Sequence, residues 1–303
     1  MPKFDSILVG AACCDIIFNE LPSMPKPGEE IWAKGLLLTV GGMMNSAASL
    51  SRLGKHVGLV TAYGSDLWGD IIESKMLEEG VSTALAKKFP GPYPQVTVSL
   101  NHQDDRAMVS YGDSGKVSDD FKSHLLSVIR NCDAGVYHFS AQRDYSEFIR
   151  EAKNNNRTVS LDAVWDEEWL KSEGIRNQIR QSDIFLPNLK EAQTITGKQD
   201  PYEALELLAE MTPLAVVKLG KEGAIAKFQG QIFHAAGFPA DSIDLTGAGD
   251  CFIGGFLYGW LNGKPIEQCL IIANYCGSRC VQSIGGYSGA PLEQHVVDAL
   301  QDI

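Results

Sequence analysis

The chain has 303 residues and a mass of 33.0 kDa, of which 44% are hydrophobic and 21% charged, enough to build a sizeable core and to exclude wholesale disorder. Its length fits two domains or one large α/β domain. Acidic residues outnumber basic ones by 38 to 26, the pI is about 5.0, and Lys and Arg are scattered rather than striped, which argues against a nucleic-acid partner.

Residues 4–10 form a short apolar run ending in small residues, the pattern of a buried strand feeding a loop, and Asp15 follows that loop. The stretch 16–40 has several prolines and little helical period; its later part, 30–40, suits extended strands. Gly41-Gly42 precedes a helix over 43–53. A strand over 56–62 and a helix over 67–79, closed by Gly80, come next. Segments 95–100 and 107–111 flank a polar turn and read as a hairpin. From there helices over 119–130, 145–154, 173–181 and 202–211 alternate with strands over 135–139, 158–161, 184–186 and 214–219. A hairpin over 224–228 and 231–234, the long segment 250–261 and a final helix from about 265 to 283 complete the chain. Alternating strands and helices predict a three-layer α/β architecture, a mostly parallel sheet covered on both faces. The whole chain, 1–303, reads as a single domain. The extended insertions near 17–40 and 95–111 form a small β sheet, either a lid over a ligand or a dimerisation flap.

No apolar run reaches the length of about 18 residues that spans a bilayer, so no membrane partner is expected. The N-terminus reads as a strand rather than an export signal. Seven cysteines, an odd number mostly inside apolar segments, point to reduced thiols and a cytoplasmic location, and Cys13-Cys14 and Cys276-x-x-x-Cys280 lack zinc spacing. The six histidines are dispersed, without a spacing that compels a metal site or a triad.

The most informative stretch is Asp244-Leu245-Thr246-Gly247-Ala248-Gly249-Asp250-Cys251-Phe252. Glycines 247 and 249 allow close backbone approach, and a helix starting there presents free N–H groups that hold an anion. Asp250 stands in the first turn of that helix. Phosphoryl transfer needs such a pair: donors for the transferred oxygens, and a carboxylate to deprotonate the attacking hydroxyl. An ordinary loop-to-helix turn accounts for the same residues locally.

The stretch Thr246-Gly247-Ala248-Gly249-Asp250 resembles the C-terminal motif of the ribokinase-like, PfkB-type carbohydrate kinases. Gly41-Gly42 followed by Asn45 resembles the family's N-terminal glycine pair and asparagine, Asp15 falls where a sugar-contacting carboxylate is found, and Asn188-x-x-Glu191 resembles its internal Asn-x-x-Glu motif. These elements appear in family order over nearly the whole chain. The resemblance implies a ribokinase-like fold with a small β lid, ATP and Mg2+ as co-substrate and metal, an anion hole from Gly247, Ala248 and Gly249, and Asp250 as catalytic base. It implies that Glu191 serves magnesium, through water, and that Asn188 serves phosphate. Their i, i+3 spacing equally suits a helix-capping box. Asp15, Gly41, Gly42 and Asn45 would contact the acceptor.

Lys218 occupies a position where Thr or Ser is frequent in these kinases, facing either the phosphates or solvent, and Gly220 and Gly223 shape the nucleotide pocket; this is no Gly-Lys-Ser/Thr P-loop. Leu245 replaces the more frequent Thr. Asn274 falls where relatives contact adenine or ribose. Asp244, Ser283, Gly286 and Ser288 lie near a monovalent-cation site of some relatives, so K+ enters as an activator. Arg106 either closes over an acidic or phosphorylated substrate or points to solvent. The leading expectation is ATP-dependent phosphorylation of a small free sugar by a homodimer paired through its lid. The alternatives are a nucleoside kinase, with Trp32 or Tyr111 stacking on a base, an inositol or other polyol kinase, and a non-catalytic sugar sensor.

Overall fold

A computed structural model describes residues 3–102, 105–112, 118–143 and 145–301; the side chains of 105, 106 and 301 lie outside that description. The strands in chain order are β1 Lys3–Val9, β2 Ala12–Asn19, β3 Gly35–Gly42, β4 Val57–Val60, β5 Ala62–Gly64, β6 Lys87–Phe89 and β7 Gln95–His102. After them come β8 Asp105–Gly112, β9 Asp133–Ala141, β10 Val159–Ala163, β11 Ile184–Phe185, β12 Leu214–Lys218, β13 Ala224–Phe228 and β14 Gln231–Ala235. Eight strands make the main sheet in the order β14-β13-β12-β11-β10-β9-β1-β4. Pairing is parallel from β12 to β4, and the hairpin β13–β14 adds the antiparallel edge.

Parallel neighbours need crossovers, and helices supply them on both faces. Successive strand residues therefore enter two separate cores, which is why β4 and β12 read as near-continuous apolar runs. Leu8, Val136 and Val216 pack in the core that includes the helices Met43–Arg52, Ala248–Leu261 and Ile266–Cys280. Ile7, Val9, Tyr137, Phe139 and Val217 pack in the other, with Asp119–Asn131, Ser146–Asn154 and Pro201–Ala209.

The second sheet has the order β3-β2-β7-β8 and starts only two residues beyond β1. Its register puts Asp15 between Thr39 and Thr97, and Thr97 beside Ser110, so Cys13, Asp15, Thr39, Thr97 and Ser110 share one face. Ile16, Phe18, Leu36, Leu38, Val98, Val109 and Tyr111 share the other. Asp15 does follow the loop after the first strand, and it lies within the next strand: the chain re-enters extended conformation at Ala12, whose N–H donates to Thr61 Oγ1 at 3.0 Å. The β3 strand begins at Gly35, later than the pattern over 30–40 suggests. The long C-terminal helix stops at Cys280, and a further helix, Glu293–Gln301, follows it. All seven cysteines are free thiols, six of them buried. No helix among the described residues is long and apolar enough to cross a membrane.

Candidate active site

The parallel strands β1, β9, β10, β11 and β12 all end at one edge of the main sheet, where open α/β sheets place their ligands. Asp162 sits near the end of β10, Asn188 follows β11, and Lys218 closes β12. The helix Ala248–Leu261 starts over the same edge, with Gly247 as its N-cap at φ 76°. The first-turn amides of a helix have no intrahelical acceptor and point outward, towards any anion placed there. Gly247 is required by its neighbour as well as by its dihedral: a methyl group on it would lie 1.8 Å from the carbonyl oxygen of Gly286.

Asp250, in the first turn, accepts a 2.9 Å hydrogen bond from Asn45 Nδ2. A carboxylate only accepts, so this bond fixes the orientation of the Asn45 amide. Burial raises Asp250 above the usual carboxylate range, while the Asn45 bond and the Lys218 charge pull it back. Asn45 Oδ1 is buried without a hydrogen-bond partner among the described residues.

Asp15 reaches the same region from the second sheet. Its carboxylate covers Gly41, where a Cβ would meet Asp15 Oδ2 at 2.2 Å, so the glycine makes room for the carboxylate. Gly42 follows as the N-cap of the helix that carries Asn45. The four residues expected to contact an acceptor are therefore adjacent. Arg106 pairs with Asn101 in the β7–β8 register, and its side chain lies outside the described residues.

Burial pushes Asp15 from its ordinary 3.8 up to about 6, while the Cys13 thiol, 3.5 Å from Oδ1, lowers it. Because the folded value lies above the unfolded one, the ionised group opposes folding. The penalty is absent below the unfolded value, grows as pH rises towards the folded value, and is full above it. Asp15→Asn is therefore expected to melt at a higher temperature than the parent at about pH 7.5, with the gain fading towards about pH 4. Melting curves across that range check this; an equal or lower midpoint at the upper pH would refute it.

On the other side of Asp250 lies a cavity of about 800 Å3, lined by Asn188, Lys218, Gly220, Gly223, Gly249 and Asn274 among others. It collects the residues expected on the nucleotide side, and Leu245 lines it too. Asn274 holds its wall in place: Nδ2 donates to the carbonyls of Ala235 at 2.9 Å and Ala236 at 3.1 Å. Asn188 and Glu191 do form the reciprocal capping box. Glu191 N–H donates to Asn188 Oδ1 at 2.9 Å, and Asn188 N–H donates to Glu191 Oε2 at 2.8 Å. One carboxylate oxygen of Glu191 is left by this exchange.

Lys218 points into the site: a methyl group on Gly249 would lie 3.5 Å from its Nζ. Its charge lowers the pKa of Asp162, Glu191 and Asp250, against the burial that raises each. Asp162, pushed up to about 7 chiefly by burial, is the carboxylate that motif reading missed. The available signal was an acid inside the otherwise apolar β10 run Val159-Ser160-Leu161-Asp162-Ala163.

Asp244 ties two loops together. Its Oδ1 accepts from the Thr246 N–H at 2.9 Å and hydroxyl at 2.6 Å, and its Oδ2 accepts from Gly285 N–H at 3.0 Å. The Ser288 carbonyl accepts from Arg52 at 3.0 Å. Among the described residues no cluster of three or more His, Cys, Asp or Glu side chains is arranged to hold a metal ion.

The pfkB family carbohydrate kinase model matches residues 3–293. An uncharacterized sugar kinase of Archaeoglobus fulgidus is 29% identical over 80% of this chain and 98% of its own. A cytidine kinase of Thermococcus kodakarensis is 26% identical over 88% of this chain and 92% of its own. The structure of Arabidopsis thaliana ribokinase complexed with ribose and ATP superposes with a TM-score of 0.83 at 25% identity, covering 99% of both chains. With the family model spanning almost every residue and the fold matched end to end, the chain belongs to the pfkB family of carbohydrate kinases, ATP-dependent phosphotransferases acting on sugar hydroxyls.

Proposed function

We propose that this enzyme transfers the terminal phosphoryl group of ATP to a hydroxyl of a small free sugar, with Asp250 as general base. The observation that carries the reading is the place of Asp250: bonded to Asn45 beside the Asp15–Gly41 contact, and at the head of the helix that borders the nucleotide cavity. Asp15 accepts hydrogen bonds from the acceptor's hydroxyls. Asp250 takes the proton of the attacking hydroxyl. The first-turn amides from Gly247 to Gly249 receive the transferring oxygens. Lys218 brings its charge to the same oxygens, among the carboxylates of Asp162, Glu191 and Asp250 that its charge acts on. Magnesium would supply charge neutralisation at the phosphates when bound; the leftover Glu191 oxygen, through water, is the group that would hold it, and the Asn188 amide would donate to a phosphate oxygen. Potassium is read as an activator bound by loop carbonyls near Asp244 and Ser288 rather than by the Asp244 carboxylate, whose two oxygens already accept three bonds.

A free sugar is favoured over a nucleoside by the face that Asp15 shares. Next to Asp15 that face carries hydroxyl and thiol groups and, one step along, Ile17 and Leu37, but no aromatic ring among these neighbours, whereas Phe18 and Tyr111 stand on the opposite face, Tyr111 being 71% exposed. Pentoses, hexoses, inositols, sugar acids, nucleosides and sugar phosphates, each with ATP and magnesium and with KCl or choline chloride, separate the readings. Acceptor-dependent ADP release is expected with a free pentose or hexose, with kcat/KM at least about 10-fold above that for any nucleoside. Efficient turnover of nucleosides alone would overturn the free-sugar reading. Turnover of sugar acids or phosphosugars alone would shift the acceptor to an anion and put Arg106 in the site.

The second sheet is read as a lid over the acceptor, and its apolar face as the contact of a homodimer. Leu36 is 67% exposed and Val109 71%, an area too apolar for a face left to water. Sedimentation and solution scattering are expected to give twice the chain mass, and Val109→Asp to give the monomer; a monomeric parent defeats the dimer.

A further inference from the structure

Nε2 of His138 on β9 and Oδ1 of Asp162 on β10 lie 3.7 Å apart. Each is shielded from solvent and has no hydrogen-bond partner among the described residues. The register produces this pair. His138 stands beside Ser160, and Ser140 stands beside Asp162, so all four side chains project from one side of the sheet, with Asp162 one step nearer the cleft. His138 is wholly buried in the run Val136-Tyr137-His138-Phe139, where packing alone would favour an apolar side chain.

The hydrogen-bond inventory then sets the tautomer. Above about pH 7, where Asp162 is ionised, its carboxylate can only accept, so a ring nitrogen facing Asp162 must carry the hydrogen. Nδ1 is left bare, 3.1 Å from Ser160 Oγ, and takes the hydroxyl hydrogen of that serine. Burial, aided by the Lys218 charge, pushes His138 down to about 3, so the ring is neutral in either tautomer. A closer approach of about 0.7 Å turns the 3.7 Å contact into a hydrogen bond and satisfies both atoms at once.

We propose that His138 is a positioning residue for phosphoryl transfer: in the working enzyme its Nε2–H bonds Asp162 Oδ1 and fixes a carboxylate within reach of the Lys218 charge, with Ser160 holding the tautomer. This rests on the assignment of Asp162 and Lys218 to the phosphate side of the site. The chain Ser160–His138–Asp162 carries no net proton transfer. Its effect is to hold a second carboxylate oxygen of Asp162, whose other hydrogen-bond partner is the Ser140 side chain, and so to fix its rotamer.

Imidazole nitrogen spectra of the full-length protein test this with MgATP alone as the probe. Above about pH 8, where Asp162 is ionised, the expected result is a neutral ring protonated on Nε2, whose resonance moves on adding MgATP and again in Asp162→Asn. A ring protonated on Nδ1, or a resonance indifferent to Asp162→Asn, overturns the proposal. With D-ribose as acceptor, His138→Phe is expected to lower kcat about 10-fold with the KM for MgATP within about 2-fold, and His138→Gln to recover most of the loss. In the Asp162→Asn background, His138→Phe is expected to cost nothing further; additive losses overturn the proposal. If the parent shows no ribose-dependent ADP release, ribose is not the acceptor, and the spectra alone decide the role of His138. Should His138→Phe not fold, Ser160→Ala carries the same test through the tautomer.

Discussion

Asp250→Asn is expected to lower kcat by at least about 100-fold while leaving the fold and MgATP affinity close to those of the parent. The amide has the volume of the carboxylate and can still accept the Asn45 bond through its oxygen, so the helix start has no reason to shift. What it loses is the ability to take a proton. A hydroxyl attacking phosphorus must shed its proton during transfer, and among the described residues no other carboxylate is bonded to Asn45 beside the first-turn amides. Burial raises Asp250, so its ionised form is lost on the acid side at a higher pH than for an exposed carboxylate; Asn45 and Lys218 limit that rise. The acid limb of kcat in the parent therefore carries a contribution from this group beside those of Asp15 and Asp162, raised by burial to about 6 and about 7, and that contribution should be absent from the residual activity of Asp250→Asn. The decisive measurement is kcat at saturating ATP and acceptor, with circular dichroism to confirm folding. Parent-like turnover in a folded variant would remove Asp250 from the mechanism.

The parts of the site legible in the sequence are those in which spacing along the chain does the work. Gly247, Gly249 and Asp250 lie within one turn, and Asn188 and Glu191 are three apart, so each local arrangement follows from helix geometry. Strand and helix alternation likewise announced the main sheet, because parallel strands buried on both faces write long apolar runs. Groups brought together by register were not legible. His138 and Asp162 meet across neighbouring strands although they are 24 positions apart in the chain, and neither has a signal beyond being polar in a mostly apolar run. Lys218 could be placed at the end of a strand but not aimed, since its direction depends on the helix that begins at Ala248. Asp15 was read beyond a loop because small residues follow Val9. Gly10 and Ala11 are that loop, and what it hid is that it passes the chain from one sheet to the next, where register gives Asp15 its strand neighbours Thr39 and Thr97. The final helix, Glu293–Gln301, escaped because its nine residues carry a short apolar stripe with no distinctive cap.

Gly247→Ala is expected to abolish transfer more completely than its size suggests, and Gly249→Ala is the comparison that shows why. At Gly247 the backbone is left-handed, at φ 76°, and an added methyl would lie 1.8 Å from the Gly286 carbonyl oxygen, itself held by the loop that Asp244 anchors. Neither neighbour is the flexible end of a side chain, so the helix start or the loop must move. The dihedral alone costs about 1–2 kcal/mol, before the clash. At Gly249 the methyl would meet only Lys218 Nζ at 3.5 Å, an ordinary contact with a mobile group. Gly249→Ala should therefore fold and melt like the parent, losing activity only through crowding of Lys218 and the phosphate. Gly247→Ala should melt earlier, and its kcat should fall at least about 1,000-fold, because misdirected amides no longer meet the developing charge. Thermal unfolding and kcat measured on both variants separate these effects. If Gly247→Ala keeps both the melting point and the turnover of the parent, then the anion hole is not built on the tight passage between Gly247 and Gly286. An equal thermal loss in Gly249→Ala would mean that the helix start is generally fragile rather than specifically braced at that one contact.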